Sequence, residues 1–368
     1  MNTKLLNPSK DGYFMPAEFS AHDATLMLMP FRGDVWRNQA KEAQEAFLKI
    51  AKEIAKFEPV MIGVHPSIWP IFQKTKVKNI EFFQVSYDDA WVRDTGPTIL
   101  KNKLGQFRAV DWEFNAYGGK EFGLYQPWDQ DDALAKAIAS ILKLDTYRTD
   151  GFVMEGGAFH VDGEGLVMAT EYNLLHKGRN PKLTKKQIET KLLESLGAKK
   201  VIWLPRGIYN DETKEHVDNV ATFVGPGHVL VAEGVDPRDA QQPLSLLTIE
   251  ALKQQTDING QPLKISTVVM PKAIHRTYFE SAGLTPGTGT QSKNRPMNER
   301  LAASYLNLYF VNDGVIVPKF NQKTDEIAFA QLKAVFPKRK VVMIDSKEVL
   351  LGGGNIHCIT QQIPKGVR

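Results

Sequence analysis

The stretch TKKQIETKLLESLGAKKVIWLP, Thr184 to Pro205, reads as one helix followed by one strand. Thr184 with Gln187 three residues on forms a capping box, Ile188, Leu192 and Leu196 recur at helical spacing, and Gly197 supplies the stop. The β-prone run KKVIWLP follows. Upstream, AFHVDGEGLVMAT, Ala158 to Thr170, places two apolar runs around Gly163, the signal of a hairpin. The local order is therefore hairpin, helix, strand.

That order recurs. A helix over about Asn38 to Phe57, with Phe47, Ala51, Ile54 and Ala55 on one face, precedes PVMIGVH at Pro59 to His65. A second, about Asp129 to Leu142, has acids in its first turn, carries Leu134, Ile138, Ile141 and Leu142 on one side, and precedes a run with Phe152 and Val153. A fourth, near Pro243 to Gln255, leads to ISTVVMP, and a fifth, near Asp325 to Phe336, stops at Pro337 before RKVVMID. Further hairpin signals surround Gly105, Gly227 and Gly314. A unit of hairpin, helix and strand cannot bury its sheet alone, so the sequence predicts an α/β fold in which five copies pack around a common centre, one domain over residues 1–368. GGAFH at Gly156 and GGNIH at Gly353, and HVD at His160 and His216, read as echoes of that repeat.

Composition narrows the function. With 42% hydrophobic and 24% charged residues the chain is globular, and its net charge of +4 comes from dispersed basic residues without a nucleic-acid stripe. No run approaches the roughly 18 apolar residues of a membrane span, and the start lacks the apolar stretch of a secretory signal. A cytoplasmic protein is expected. A single cysteine, Cys358, excludes an intrachain disulfide.

Cys358 lies in LGGGNIHCITQQ, Leu351 to Gln362. Three glycines before it suggest turns closed to other residues; the thiol is either a buried small hydrophobe or a nucleophile. If a pseudo-symmetric assembly keeps its site at the centre, other groups should come from different units near turn signals. Asp94 in DDAWVRDTGP, Glu155 in MEGGAFH, and His216 and Asp218 in DETKEHVDN do so. On a strand His216 and Asp218 would leave by one face, whether toward a ligand or solvent; Glu155 also fits a surface turn, Asp94 a salt bridge to Arg93, and Asp88 and Asp89 offer alternative carboxylates. His160 and Asp162 add donor types, but there is neither HExxH nor a cysteine pair, so no metal is expected. Without a Walker loop or dinucleotide fingerprint, no nucleotide cofactor is expected. A thiol, a histidine and several carboxylates suit a cationic planar substrate: carboxylates receive a guanidinium bidentately, and a thiolate can attack its carbon.

Eight segments in order, MPAEFSAHDATLMLMP, DDAWVRDTGPT, AVDWEFNAYGGK, MEGGAFHVDGEG, KGRNPKLTKKQIE, LPRGIYNDETKEHVDNVATF, LAASYLNLYFVNDGVIVP and LGGGNIHCITQQ, span nearly the whole chain. They resemble the agmatine deiminases, within the guanidine-modifying superfamily that includes bacterial-type peptidylarginine deiminases. The resemblance implies a five-bladed α/β propeller of ββαβ modules and a cofactor-free hydrolase of polyamine metabolism that converts agmatine to N-carbamoylputrescine and ammonia through an S-alkylthiouronium on cysteine. It implies Cys358 as nucleophile, His216 as general acid and base, Glu155 as the carboxylate orienting that histidine, Asp94 and Asp218 as the guanidinium-binding pair, and Trp91 as a pocket wall. The implied partner is a small guanidine, with neither nucleic acid nor membrane, and a homo-oligomer is expected for such an enzyme.

Three segments depart from the family pattern: Lys214 and Glu215 before His216, where glycine is common; MPFR at Met29 to Arg32; and Tyr278 to Glu299. Alternatives are a deiminase of arginine, for which Arg93, Arg179 or Arg206 would clamp the carboxylate, a deiminase of peptidyl-arginine, and a catalytically weak polyamine-binding relative. The turn-rich GLTPGTGTQSKN, Gly283 to Asn294, reads as a mobile surface loop rather than a lid.

Overall fold

All five helix-to-strand units are present in the computed structural model, which describes residues 7–286 and 290–368. Helices Lys41–Ile54, Asp129–Ile141, Lys185–Leu196, Gln241–Lys253 and Thr324–Val335 precede strands Val60–Val64, Thr146–Val153, Lys200–Leu204, Lys264–Val269 and Lys340–Asp345. The third helix starts at the expected capping box and ends on Gly197 in the left-handed region, φ 61°. Ile188, Leu192 and Leu196 are buried on its inner face. The second helix differs at one position. Leu134 and Ile138 are buried, whereas Ile141, in the last turn, is 45% exposed.

Among the described residues the result is a mixed α/β architecture of five separate sheets with three or four strands each, plus two two-stranded ribbons. In four sheets an antiparallel hairpin is followed, after the helix, by a strand added in parallel. The hairpins are Thr98–Asn102 with Phe107–Glu113, Phe159–Val161 with Leu166–Thr170, Ala221–Gly225 with His228–Glu233, and Tyr309–Val311 with Gly314–Lys319. Each turns where a Gly signal stood.

Only four hairpins were visible because the fifth joins opposite ends of the chain. Strand Gln361–Pro364 pairs antiparallel with His22–Leu28, and Val60–Val64 then adds to that strand in parallel. The same antiparallel-then-parallel order is thus completed by residues more than 330 positions apart, which no local pattern reveals. Loop-closure entropy grows slowly with length, so burial across the seam can offset it. Ile363 pairs with Ala24 in a core shared with Leu26, Ile62, Ile54 and Cys358.

The turn-rich segment after Gly283 is tied down on its far side. Strand Gln291–Ser292 pairs with Tyr125–Gln126, Thr290 and Ser292 bond to Asp34, and Lys293 ion-pairs with Glu212 and Glu299. Residues 287–289 lie outside the described residues. Among the described residues no helix is long and apolar enough to cross a membrane.

If the seam holds the fifth sheet, Ile363→Ala should lower the unfolding free energy in urea by about 2–5 kcal/mol. A loss below about 0.5 kcal/mol would show that the terminal strand contributes little.

Candidate active site

The five units meet through equivalent segments: the short turn that leads into the first strand of each antiparallel pair. Asp94 lies on helix Val92–Thr95 before Thr98, and Glu155 caps the 3-10 turn Gly156–Ala158 before Phe159. His216 and Asp218 belong to the turn at Val217–Asn219 before Ala221, Asn307 precedes Tyr309, and Cys358 precedes Gln361. Contacts join these turns into a closed circuit. Arg93 N–H donates to Cys358 O at 3.2 Å, His357 N–H to Asn307 Oδ1 at 2.9 Å, and Asn307 Nδ2 to Asn219 Oδ1 at 3.0 Å. His216 Nε2 lies 3.6 Å from Glu155 Oε2, and Gly157 N–H donates to Asp94 Oδ1 at 2.8 Å.

The expectation that His216 and Asp218 project from a strand is corrected: His216 stands at the N-cap of one turn of 3-10 helix and Asp218 lies within it. Lys214 and Glu215 just before them are both left-handed, φ 69° and 68°, which redirects the chain. Glycine reaches that conformation most cheaply. Here Glu215 is held by an ion pair to Arg206 and by Gly207 N–H at 2.7 Å, while its carbonyl accepts from Thr170 Oγ1 at 2.6 Å. The apparent echoes are also corrected. His160 sits within strand Phe159–Val161 and His216 before a turn, so the two HVD strings are not equivalent, nor are the two GG pairs at equal distance from their strands.

All five reactive candidates are at least 95% buried. A Cβ on Gly157 would stand 2.7 Å from His216 Nδ1, 2.9 Å from Asp218 Oδ2 and 3.0 Å from Asp94 Oδ1, so only glycine lets the three converge. His216 Nδ1 is 3.9 Å from Asp94 Oδ1. Both its contacts, to Asp94 and Glu155, are ion pairs rather than hydrogen bonds. Burial alone would disfavour the imidazolium, but Asp94, Glu155 and Asp218 outweigh it and raise His216 to about 9. Glu155 is buried, which opposes its charge, yet Arg179 Nε at 2.6 Å and His216 lower its pKa. Thirteen buried side-chain polar atoms among the described residues lack a hydrogen bond; Glu155 Oε1 and Arg179 Nε are among them but face each other as an ion pair, which leaves Glu155 Oε2, both His216 nitrogens and Asp218 Oδ1 at this site. Unspent hydrogen-bonding capacity concentrated at one place marks a binding site.

Cys358 and Asp94 line one cavity with Trp91, Tyr117, Glu212 and Arg295. The space open to the centre of a water-sized sphere is about 20 Å³, room for about one water. Trp91 is fixed by its indole N–H donating to Asp89 Oδ2 at 2.8 Å, and Tyr117 O–H donates to Asp94 Oδ2 at 2.8 Å. Asp88 and Asp89 thus serve other bonds, the former accepting from Gln130 N–H at 2.8 Å. The thiol lies 3.7 Å from Asp218 Oδ2 and 3.2 Å from Asn307 Nδ2. Burial, Asp218 and Asp94 push its pKa well up, so the unliganded site holds a thiol.

The three glycines before Cys358 do less turning than expected. Only Gly353 is left-handed, φ 111°. Gly354 is needed for approach, since a Cβ there would come within 2.6 Å of Trp91 and 3.0 Å of Cys358 Sγ.

Several groups escaped the sequence. Arg179 neutralises Glu155, Asn307 cradles the thiol, and His357 joins Asp218 to Glu18. Arg179 stands in the KGRNP string and His357 beside the cysteine, but their partners are remote in sequence. By donor type Glu18, His160 and His357, mutually within 4.8 Å, could hold a metal. Their lone pairs are committed instead: Arg93 holds Glu18 at 3.1 Å, and both His357 nitrogens face carboxylates. His160, lowered to about 4 by burial, stays neutral.

The family model of Porphyromonas-type peptidyl-arginine deiminases matches residues 14–364. The agmatine deiminase of Ectopseudomonas mendocina is 46% identical over 365 residues, 99% of each chain. The structure of Enterococcus faecalis agmatine deiminase superposes with a TM-score of 0.94 at 41% identity, covering 99% of both chains. A C. jejuni agmatine deiminase carrying a Cys-to-Ser change, with substrate bound, superposes with a TM-score of 0.81 at 27% identity over 97% of both chains.

His216 rises from 6.5 to about 9 on folding. Its stabilising contribution is therefore full below pH 6.5 and lost as pH rises through 9. The difference in urea-unfolding free energy between the native chain and His216→Asn should shrink across that window; a constant difference would refute the charged state.

Proposed function

This chain belongs to the Porphyromonas-type peptidyl-arginine deiminase family, and we propose that it is an agmatine deiminase, hydrolysing agmatine to N-carbamoylputrescine and ammonia. The observation that carries this reading is one cavity in which a lone thiol stands beside Asp94 and within 3.7 Å of Asp218. Two carboxylates so placed suit a guanidinium and would repel the oxyanion of an acyl transfer.

On this reading the guanidinium enters between Asp94 and Asp218 against Trp91. Its charge offsets the carboxylates that hold Cys358 as a thiol, the thiol loses its proton to solvent, and the thiolate attacks the guanidinium carbon. His216, already an imidazolium, protonates the departing nitrogen and ammonia leaves, so a cationic S-alkylthiouronium remains on Cys358. Neutral His216 then takes a proton from water as its oxygen bonds to the same carbon. The neutral tetrahedral adduct collapses, the carbon–sulfur bond breaks, and the hydroxyl proton returns to sulfur as the ureido product forms. The proton released at the start balances ammonia as ammonium. Glu155 keeps His216 charged and oriented, with Arg179 balancing its own charge.

Agmatine fits better than arginine. Each cation expected as a carboxylate clamp is already engaged: Arg93 with Glu18, Arg179 with Glu155, Arg206 with Glu215. The remaining charged wall offers a carboxylate, Glu212, which can receive the distal ammonium by exchange with Arg295 and Lys293. We also read the five sheets as blades of a propeller, since the circuit of lead-in turns runs through all five.

Purified protein should release ammonia and ureido product from agmatine far faster than from arginine or an arginyl peptide, and Cys358→Ser should abolish it. No turnover of agmatine by the unaltered chain would sink the assignment, and activity in the serine variant would sink the nucleophile. Glu212→Gln should raise KM for agmatine about 10–100-fold with kcat little changed, as for loss of one charged hydrogen bond. An unchanged KM would remove Glu212 from substrate binding.

A further inference from the structure

His357 is wholly buried, takes no part in the steps above, and is bonded on both ring nitrogens to carboxylates. Nδ1 lies 2.9 Å from Asp218 Oδ2 and Nε2 lies 2.8 Å from Glu18 Oε2. A neutral imidazole has one N–H, so one carboxylate would face a nitrogen lone pair at hydrogen-bond distance. Two ionised acceptors require two protons on the ring.

The surroundings keep those acceptors ionised. Arg93, itself 2% exposed, donates to Glu18 Oε1 at 3.1 Å while the ring faces Oε2; it also reaches the His357 carbonyl at 3.4 Å, and burial and the Arg93 charge oppose the imidazolium that Glu18 and Asp218 favour. The result is a buried row of alternating charge: Arg93, Glu18, His357, Asp218, with the Cys358 sulfur at its end 3.7 Å from Asp218 Oδ2. The other group facing the ring is His160, neutral and stacked with its centroid at 5.1 Å, while Asn307 Oδ1 accepts from the His357 backbone N–H.

We propose that His357 is a positioning residue for the deimination: a permanently charged imidazolium that keeps Asp218 ionised and fixes its Oδ2 toward the thiol. This rests on the assignment of Asp218 to guanidinium binding. The need for such a group follows from crowding. Asp218 is wholly buried near Asp94 and Glu155, and like charges in low dielectric raise one another's proton affinity. Its pKa is nevertheless lowered, because burial is outweighed first by the His357 hydrogen bond and charge and then by His216. Asp94, without an equivalent partner, is raised by burial. The two carboxylates that share the substrate's cation are thus differently prepared, and the difference is His357.

Removing that charge while keeping a hydrogen-bonding side chain, His357→Gln, should let Asp218 take up a proton more readily. The acid limb of kcat/KM for agmatine should then move to higher pH by about one unit or more, so that the loss grows to about tenfold or more down that limb and is smallest at pH 8.5. A merely structural role would lower kcat/KM equally at every pH, and that result overturns the proposal. The charge state is also measurable without turnover and without a variant. In 15N NMR of the full-length chain at pH 8, with the His357 ring assigned through its own carbons, two protonated nitrogens support the proposal and a single one overturns it. Should the unaltered chain not turn over agmatine, the functional assignment fails, while this spectrum still decides the charge of His357.

Discussion

Four carboxyl groups and four cationic side chains are buried together around the cavity: Asp94, Glu155, Asp218 and Glu18 against His216, Arg179, His357 and Arg93. A lone charge in such a place costs several kcal/mol, and deleting one member of a buried pair leaves the other uncompensated. Each cation here answers a particular acid: Arg179 serves Glu155, Arg93 and His357 serve Glu18, and His357 serves Asp218. His216 lies between Glu155 and Asp94 with neither hydrogen bond fully made. The loosest member of the network is the one to which the proposed reaction assigns the proton transfer.

The same charges join the units. His357 and Asp218 come from the lead-in turns of different units, and Glu18 and Arg179 reach those turns from outside, so the electrostatic pairing and the contacts between turns act at one place. Pairing the C-terminal strand with His22–Leu28 brings Cys358 and His357 back to a chain that has already placed Asp94, Glu155 and His216. The glycines belong to this constraint. At Gly157 the requirement is space for three charged side chains, not an unusual backbone angle, whereas at Gly353 it is both φ and space, since a Cβ there would clash with Glu212 Oε1.

What the sequence made legible follows from the range of each interaction. The capping box at Thr184, five helices and four glycine-centred hairpins are local patterns and stand where expected, with Ile141 the exception on the apolar face of the second helix. The fifth hairpin is the same physics without locality. The candidate side chains that meet beside Cys358 were legible because their chemistry and the family's motifs mark them. Arg179, His357, Glu18 and Asn307 were not, because a buried partner is recognisable only once its counterpart from another unit is beside it. His216 and Asp218 were placed on a strand by their spacing of two; two consecutive left-handed residues, costly for Lys214 and Glu215 and offset by the Arg206 pair, make a turn instead. The poorly matching segment after Tyr278 proved to carry Lys293 and Arg295, which reach the cavity wall.

On the proposed reaction, charge balance accounts for more than binding. A guanidinium stays protonated throughout the physiological range, and the ureido group that replaces it is neutral. The carboxylates that draw the substrate in therefore lose their hold on the product as the chemistry completes, so tight attraction of the ground state does not become product inhibition. The thiol obeys the same balance in reverse. With no cation in the cavity, burial together with Asp218 and Asp94 keeps Cys358 protonated, and a buried thiol is a poor nucleophile and a poor target for oxidants. Reactivity then appears only while a guanidinium is present. A surrounding of positive charge would make a more reactive cysteine at rest, but it would repel this substrate and leave the chain's single thiol exposed to side reactions between turnovers.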